Sequence, residues 1–271
     1  MPLRPLYGHE RLRQQLGNAV ATSRLPQAIL LEGPRGVGKQ RLALWLAQTV
    51  LCEGTRKTSE PCGSCQPCKL VLNLSHPDLH WIVPIELARK GADADKQVEL
   101  AEEALAEEMA ARRAQPLFQS ASGLASHGIA SARLLSRQLR LTPALARHKL
   151  FVLGNAERLI VQEGNPEAAN ALLKALEEPP SNTILVLTSS EPDALLPTML
   201  SRVVRVRVRR LPDSVVTQFA QQELGLAGQD IVEQRISSAE GSIGRLLARG
   251  TDRSDGAAAE AVLKAVQRAP A

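Results

Sequence analysis

Ala28-Ile29-Leu30-Leu31-Glu32-Gly33-Pro34-Arg35-Gly36-Val37-Gly38-Lys39-Gln40 sets a short apolar run directly before the pattern G-x-x-x-x-G-K. The apolar run reads as a strand, the glycines as a loop, and the residues from Lys39 to about Leu51 as a helix. In that setting the pattern is a P-loop. Backbone N–H groups of the loop and of the helix N-terminus aim at one point and can hold phosphate oxygens. Gly33, Gly36 and Gly38 are the candidate phosphate-binding residues, and Lys39 adds a point charge. ATP or ADP is the ligand this predicts. The next residue should be Ser or Thr, whose hydroxyl binds Mg²⁺. Here it is Gln40, whose amide has no hydroxyl to offer.

Further apolar runs at 79–83, 150–153, 183–187 and 203–208 alternate with helical stretches. Strands that alternate with helices predict an α/β domain with a parallel sheet. The runs at 28–31, 150–153 and 183–187 are nearly continuous in apolar residues, as strands covered on both faces should be. The run at 203–208 alternates Val204, Val206 and Val208 with Arg205, Arg207 and Arg209, which suits an edge strand with one wet face. The strand at 150–153 should end in an acidic pair if the loop served hydrolysis. It ends in Gly154-Asn155, and neither residue can act as a general base. Binding of phosphate with very slow hydrolysis is therefore expected.

All four cysteines fall between Cys52 and Cys68, spaced C-x9-C-x2-C-x2-C as Cys52, Cys62, Cys65 and Cys68. Two intervening residues let neighbouring thiolates converge on one ion. Four thiolates complete tetrahedral zinc and leave no open position. Structural Zn²⁺ is the expectation; an iron–sulfur cluster and unliganded thiols are the alternatives. The module, 52–68, follows the first P-loop helix and reads as an insertion.

A second insertion covers 84–128. Its part at 97–113 reads as a charged helix with a narrow apolar stripe at Val98, Ala101, Leu105 and Met109, either a solvated helix or a partner-binding arm. The part at 120–128 is small and polar, and reads as a mobile loop. Asn165-Pro166 reads as the N-cap and first position of another helix, which Pro179-Pro180 stops. Beyond Leu211-Pro212 the chain turns all-helical. We assign 1–210 to the nucleotide-binding-like domain, 211–250 to a small helical lid, and 251–271 to a linker with the start of a further element.

The chain has 271 residues, 44% hydrophobic, 23% charged and 2% aromatic, the composition of a soluble globular protein. The N-terminus lacks an apolar signal core and no run has membrane-span length, so a cytoplasmic location is expected. The net charge of +5 permits contact with nucleic acid without demonstrating it.

With these residues in hand, the chain resembles the bacterial DNA polymerase III clamp-loader AAA+ family, and within it the delta-prime type. The resemblance rests on the cysteine module after the P-loop helix, Ser75-His76-Pro77-Asp78, the segment from Asn170-Ala171-Leu172-Leu173-Lys174 to Glu177-Glu178-Pro179-Pro180, and Leu200-Ser201-Arg202. Gly8-His9-Glu10 resembles the family's N-terminal box near the adenine pocket. The resemblance implies a five-stranded parallel sheet with helices on both faces, a helical lid, and a collar that this chain lacks or abbreviates after 251. It implies a subunit of the DNA polymerase III holoenzyme, a DNA-directed DNA polymerase and nucleotidyltransferase complex. Its partners would be gamma/tau-type and delta-type subunits, the sliding clamp and primed DNA. Gln40, Gly154 and Asn155 depart from the ATPase members and agree with delta-prime. Gly244 stands where ATPase members carry a nucleotide-sensing arginine, and Val203 replaces the cysteine of the Ser-Arg-Cys motif. Arg202, which is kept, is implied to act in trans as an arginine finger. The alternative is an active gamma/tau-type ATPase; a stand-alone P-loop enzyme such as a kinase is a third class. In that last class Glu177-Glu178 would be the acidic pair, although it reads more simply as the solvated end of a helix.

Overall fold

Apolar runs without alternation form strands only where both faces are covered. The computed structural model shows this for β1 (Ala28–Glu32), β3 (Lys149–Leu153) and β4 (Thr183–Ser189), which are buried along nearly their whole length. With β2 (Leu79–Ile82) and β5 (Val204–Arg207) they make a five-stranded, wholly parallel sheet in the order β2-β3-β4-β1-β5. The structure describes residues 3–54, 59–87, 93–115, 117, 125–159, 167–226 and 229–248.

The helices before β4 are α1 (Glu10–Ala21), α2 (Lys39–Leu51), α3 (Gln66–Leu72), α4 (Ala94–Ala114), α5 (Ile129–Leu139) and α6 (Glu167–Glu177). α7 (Pro197–Leu200) precedes β5, and α8 (Asp213–Leu224), α9 (Gln229–Ala239) and a helical segment at 243–248 follow it. α2 is buried along most of its length and packs against β1, β3 and β4. The Asn165-Pro166 start expected for α6 lies outside the described residues, as does everything after 248.

Three expectations are refined. β5 is an edge strand, but it is shorter than 203–208, and Val204 is 49% exposed. Only Val208, beyond the strand, is fully buried, so the dry face closes at its end and not along it. The charged helix is α4, and it is firmly packed: Val98, Ala101 and Leu105 are buried, α5 lies against it, and the Arg112 guanidinium sits 4.4 Å over the Trp81 ring. The 125–128 part of the loop expected to be mobile is held. Ser126 bridges to Ile85, His127 bridges to Leu159, and the His127 side chain is buried. Residues 120–124 lie outside the described residues.

Asp78 of the Ser-His-Pro-Asp segment shows what such a motif does locally. Its buried carboxylate accepts the N–H groups of Ala144 (2.6 Å), Leu145 (2.8 Å) and Ala146 (2.7 Å), fixing the turn that leads into β3. Burial alone would raise this carboxyl's pKa; the three N–H groups outweigh it and hold it low.

The chain divides into two compact units. One holds residues up to Gly33 and Lys39–Val208; the other holds Pro34–Gly38 together with everything from Arg209 on. In the second unit the crown of the P-loop is met by the turn before 243–248. The Gly244 N–H donates to the Gly36 carbonyl (2.9 Å), and the Ser242 hydroxyl donates to the Arg35 carbonyl (3.0 Å). A Cβ on Gly244 would stand 2.5 Å from the Gly36 Cα, so glycine is required there by close approach.

Candidate functional site

A parallel sheet opens its C-terminal strand ends as a site, because the loops that leave them diverge. Here the ends of β1, β3 and β4 bring Gly33, Gly154, Asn155 and Ser190 beside the first turn of α2. The Lys39 ammonium is buried and donates to the Gly33 carbonyl (2.8 Å) and to the Ser190 hydroxyl (2.9 Å). The Ser190 N–H in turn donates to a Glu157 carboxylate oxygen (3.2 Å). Sequence reasoning missed both Ser190 and Glu157. Neither lies in the P-loop pattern, and only the sheet register brings them there.

The three departures from the hydrolytic pattern touch one another. The Gln40 amide donates to Asn155 Oδ1, and the Asn155 N–H donates to the Thr188 hydroxyl (3.0 Å). A Cβ added at Gly154 would lie 3.0 Å from the Gln40 side-chain Cδ and Nε2. Gln40 therefore occupies the space that a side chain at 154 would need. Asn155 holds φ 55°, a left-handed conformation that asparagine tolerates better than most residues. Next to them the buried His127 ring meets the Gly154 carbonyl at 2.7 Å, its Nε2–H donating. Burial depresses this imidazole to about 4, the carbonyl only partly opposing it, so it is neutral at neutral pH.

The four cysteines converge as their spacing predicts: their sulfurs all lie within 4.8 Å of one another. Cys62 and Cys68 are 3.9 Å apart, as are Cys52 and Cys65. Tetrahedral coordination at the usual zinc–sulfur length needs sulfurs about 3.8 Å apart, so the donor set fits such an ion. Backbone N–H groups of Gly54 and Cys62 point at the Cys52 sulfur (3.3 Å each), and that of Cys65 at the Cys62 sulfur (3.4 Å). Such N–H groups favour thiolates: those of Cys65 and Ser64 lower the Cys62 thiol to about 6, while burial raises that of Cys68. The module is not a loose decoration. Glu60 accepts from Arg13 of α1 (3.0 Å) and from the Trp45 indole of α2 (3.1 Å), clasping the segment before Cys62 to both helices.

Arg202 follows α7. Its guanidinium donates to the Thr198 carbonyl (2.7 Å) and pairs with Glu177 at the end of α6 (2.6 Å). The expectation that Glu177 is simply solvated is thus incomplete. Arg205 pairs with Glu32 (2.7 Å), which separates it in role from Arg202.

The profile of the family described as "DNA polymerase III, delta subunit" matches residues 8–212. The chain belongs to this family. A DNA polymerase III subunit delta' of Bacillus subtilis is 32% identical over 216 residues, covering 79% of this chain and 52% of that protein. A delta' subunit of Pseudomonas aeruginosa is 32% identical over 178 residues, covering 66% of this chain and 42% of the relative. Subunit tau of Bacillus subtilis is 25% identical over 236 residues, with 87% and 33% covered. The chain thus spans about half the length, or less, of these relatives. The family match covers the sheet, the P-loop, the cysteine cluster and Arg202, and it ends at residue 212, before α8. Among the described residues no helix is long and apolar enough to cross a membrane.

Proposed function

We propose that this protein is a delta-prime-type clamp-loader subunit of DNA polymerase III that helps place the sliding clamp on primed DNA in the cytoplasm without hydrolysing ATP itself. The observation that carries this is the contact set of Gln40, Gly154 and Asn155. An amide pair stands where phosphoryl transfer needs a hydroxyl and carboxylates around Mg²⁺. A Cβ at 154 would press on the end of the Gln40 side chain, so Gln40 and Gly154 suit one another. Lys39 and the loop amides remain suited to phosphate, and ATP or ADP can bind there without turnover. Arg202 acts in trans. Phosphoryl transfer spreads charge over the γ-phosphate oxygens, and a guanidinium from the adjoining subunit stabilises it, typically by about a thousandfold or more in rate.

The cysteine cluster holds one structural Zn²⁺ through Cys52, Cys62, Cys65 and Cys68. Four thiolate donors leave no open position, so the ion is a folding staple with no part in the chemistry. Metal analysis should find about one zinc per chain; iron with visible charge-transfer absorption would overturn this assignment.

The deciding experiment is reconstitution with gamma/tau-type and delta-type subunits. The isolated protein should show no ATPase above background with Mg²⁺ and DNA. Turnover near one per second, abolished by Lys39→Ala, would establish the gamma/tau-type reading instead. In the assembled loader Arg202→Ala should cut hydrolysis at the adjoining site and leave assembly intact, whereas Arg207→Ala should do little.

A further inference from the structure

We infer that Glu177 is a positioning residue that parks Arg202 and so restrains the neighbour's ATP hydrolysis until a stronger anion takes the guanidinium away; this rests on the trans-acting assignment of Arg202. The geometry starts from two short helices' ends. α6 finishes at Glu177, just before Glu178-Pro179-Pro180, and α7 finishes two residues ahead of Arg202. A carboxylate at a helix C-terminus faces the negative end of the helix dipole, which is unfavourable unless a cation answers it. Arg202 is that cation, at 2.6 Å. The same guanidinium donates to the Thr198 carbonyl at 2.7 Å and meets the Ser201 hydroxyl at 3.3 Å, so its fork is oriented on its own subunit. The pair is open to water, with the arginine side chain 33% and the glutamate 47% exposed.

An exposed pair of this kind is weak, and that is what makes it usable. It biases the equilibrium between a parked and a free guanidinium by a factor of only about two to five. A triphosphate carries more charge and offers bidentate oxygens, so it wins the guanidinium from a single carboxylate once the two subunits meet correctly. A buried pair would hold the finger too tightly to release it, and no pair at all would leave a long side chain to search its rotamers. The other arginines nearby are differently placed: Arg205 is paired to Glu32 across β1, and Arg210 to Glu240 in the second unit.

The test uses the full loader reconstituted with wild-type protein, Glu177→Gln, Arg202→Ala and the double variant. Glutamine keeps the shape and removes the charge. Glu177→Gln should raise kcat for ATP by about two- to fivefold at low salt with KM unchanged, because the freed finger acts on charge developing in the transition state. The gain should shrink above about 0.5 M salt, where exposed charges are screened. The double variant should match Arg202→Ala, since a holding residue has nothing to hold without its arginine. A merely structural Glu177 would change melting temperature and not this coupling. If Arg202→Ala lowers hydrolysis while Glu177→Gln leaves kcat unchanged or lowers it, the finger stands and the parking falls. If Arg202→Ala changes nothing, the finger assignment fails, and the parking fails with it.

Discussion

Gly17 offers a test in which two physical effects predict opposite signs. It lies in the middle of α1, where alanine is ordinarily better than glycine by about 1 kcal/mol. A Cβ placed there would stand 1.8 Å from the Ser59 carbonyl oxygen and 2.7 Å from its carbon, both backbone atoms. The segment leading into the cysteine module must then retreat by well over an ångström. That retreat strains or breaks the Glu60 clasp to Arg13 (3.0 Å) and Trp45 (3.1 Å). Hydrogen bonds to a charged group are worth about 1.5–3 kcal/mol when buried, but Glu60 is 44% exposed, and about 1 kcal/mol each is the fairer figure. Overpacking itself costs about 1–3 kcal/mol. The losses exceed the helix gain, and Gly17→Ala should destabilise the protein by about 2–4 kcal/mol. Urea unfolding measures the first effect, and the rate of zinc release to a chromophoric chelator measures the loosened module. Gln14→Ala, on an exposed face of the same helix, is the control. If Gly17→Ala is as stable as the parent or more so, with zinc release unchanged, the module does not lie on α1 as described.

The remaining predictions concern the strand ends. Gly154→Asp alone should destabilise by about 1 kcal/mol, because its Cβ meets the end of the Gln40 side chain at 3.0 Å and that side chain must give way, and Gln40→Thr/Gly154→Asp should recover most of that loss in urea unfolding. Independent effects of the two changes would sink the claim that they are mutually adapted. His127, neutral and depressed to about 4 by burial, makes stability depend on pH. The unfolded chain takes up this proton near 6.5 and the folded one only near 4, so the contribution is complete above 6.5 and is lost as pH falls toward 4, by about 3 kcal/mol. His127→Gln should flatten the urea midpoint across that window, and an unchanged slope would show that other groups carry it.

How far the residues spoke for themselves differs from element to element. The P-loop, the parallel sheet and the cysteine cluster were legible because each is encoded locally. A strand covered on both faces needs an unbroken apolar run, a phosphate loop needs glycines at fixed offsets, and a four-thiolate site needs cysteines a few residues apart. The losses at Gln40, Gly154 and Asn155 were equally legible, since a missing hydroxyl or carboxylate is a matter of residue type. What they touch was not. That Gln40 fills the space above Gly154 and bonds Asn155 depends on β3 lying beside β4 and β4 beside β1. Ser190 reaches Lys39, and Glu157 the Ser190 N–H, by the same register. The loop at 120–128 read as mobile because its residues are small and polar, yet His127 is buried against the Gly154 carbonyl, 27 residues away in the chain. Glu177 read as a solvated helix end for the same reason: no local pattern announces that α7 will bring Arg202, 25 residues further on, to it. Local spacing is set by covalent geometry and can be read from the chain. Pairings between distant polar side chains are decided only when the apolar core fixes which strand ends and helix ends become neighbours.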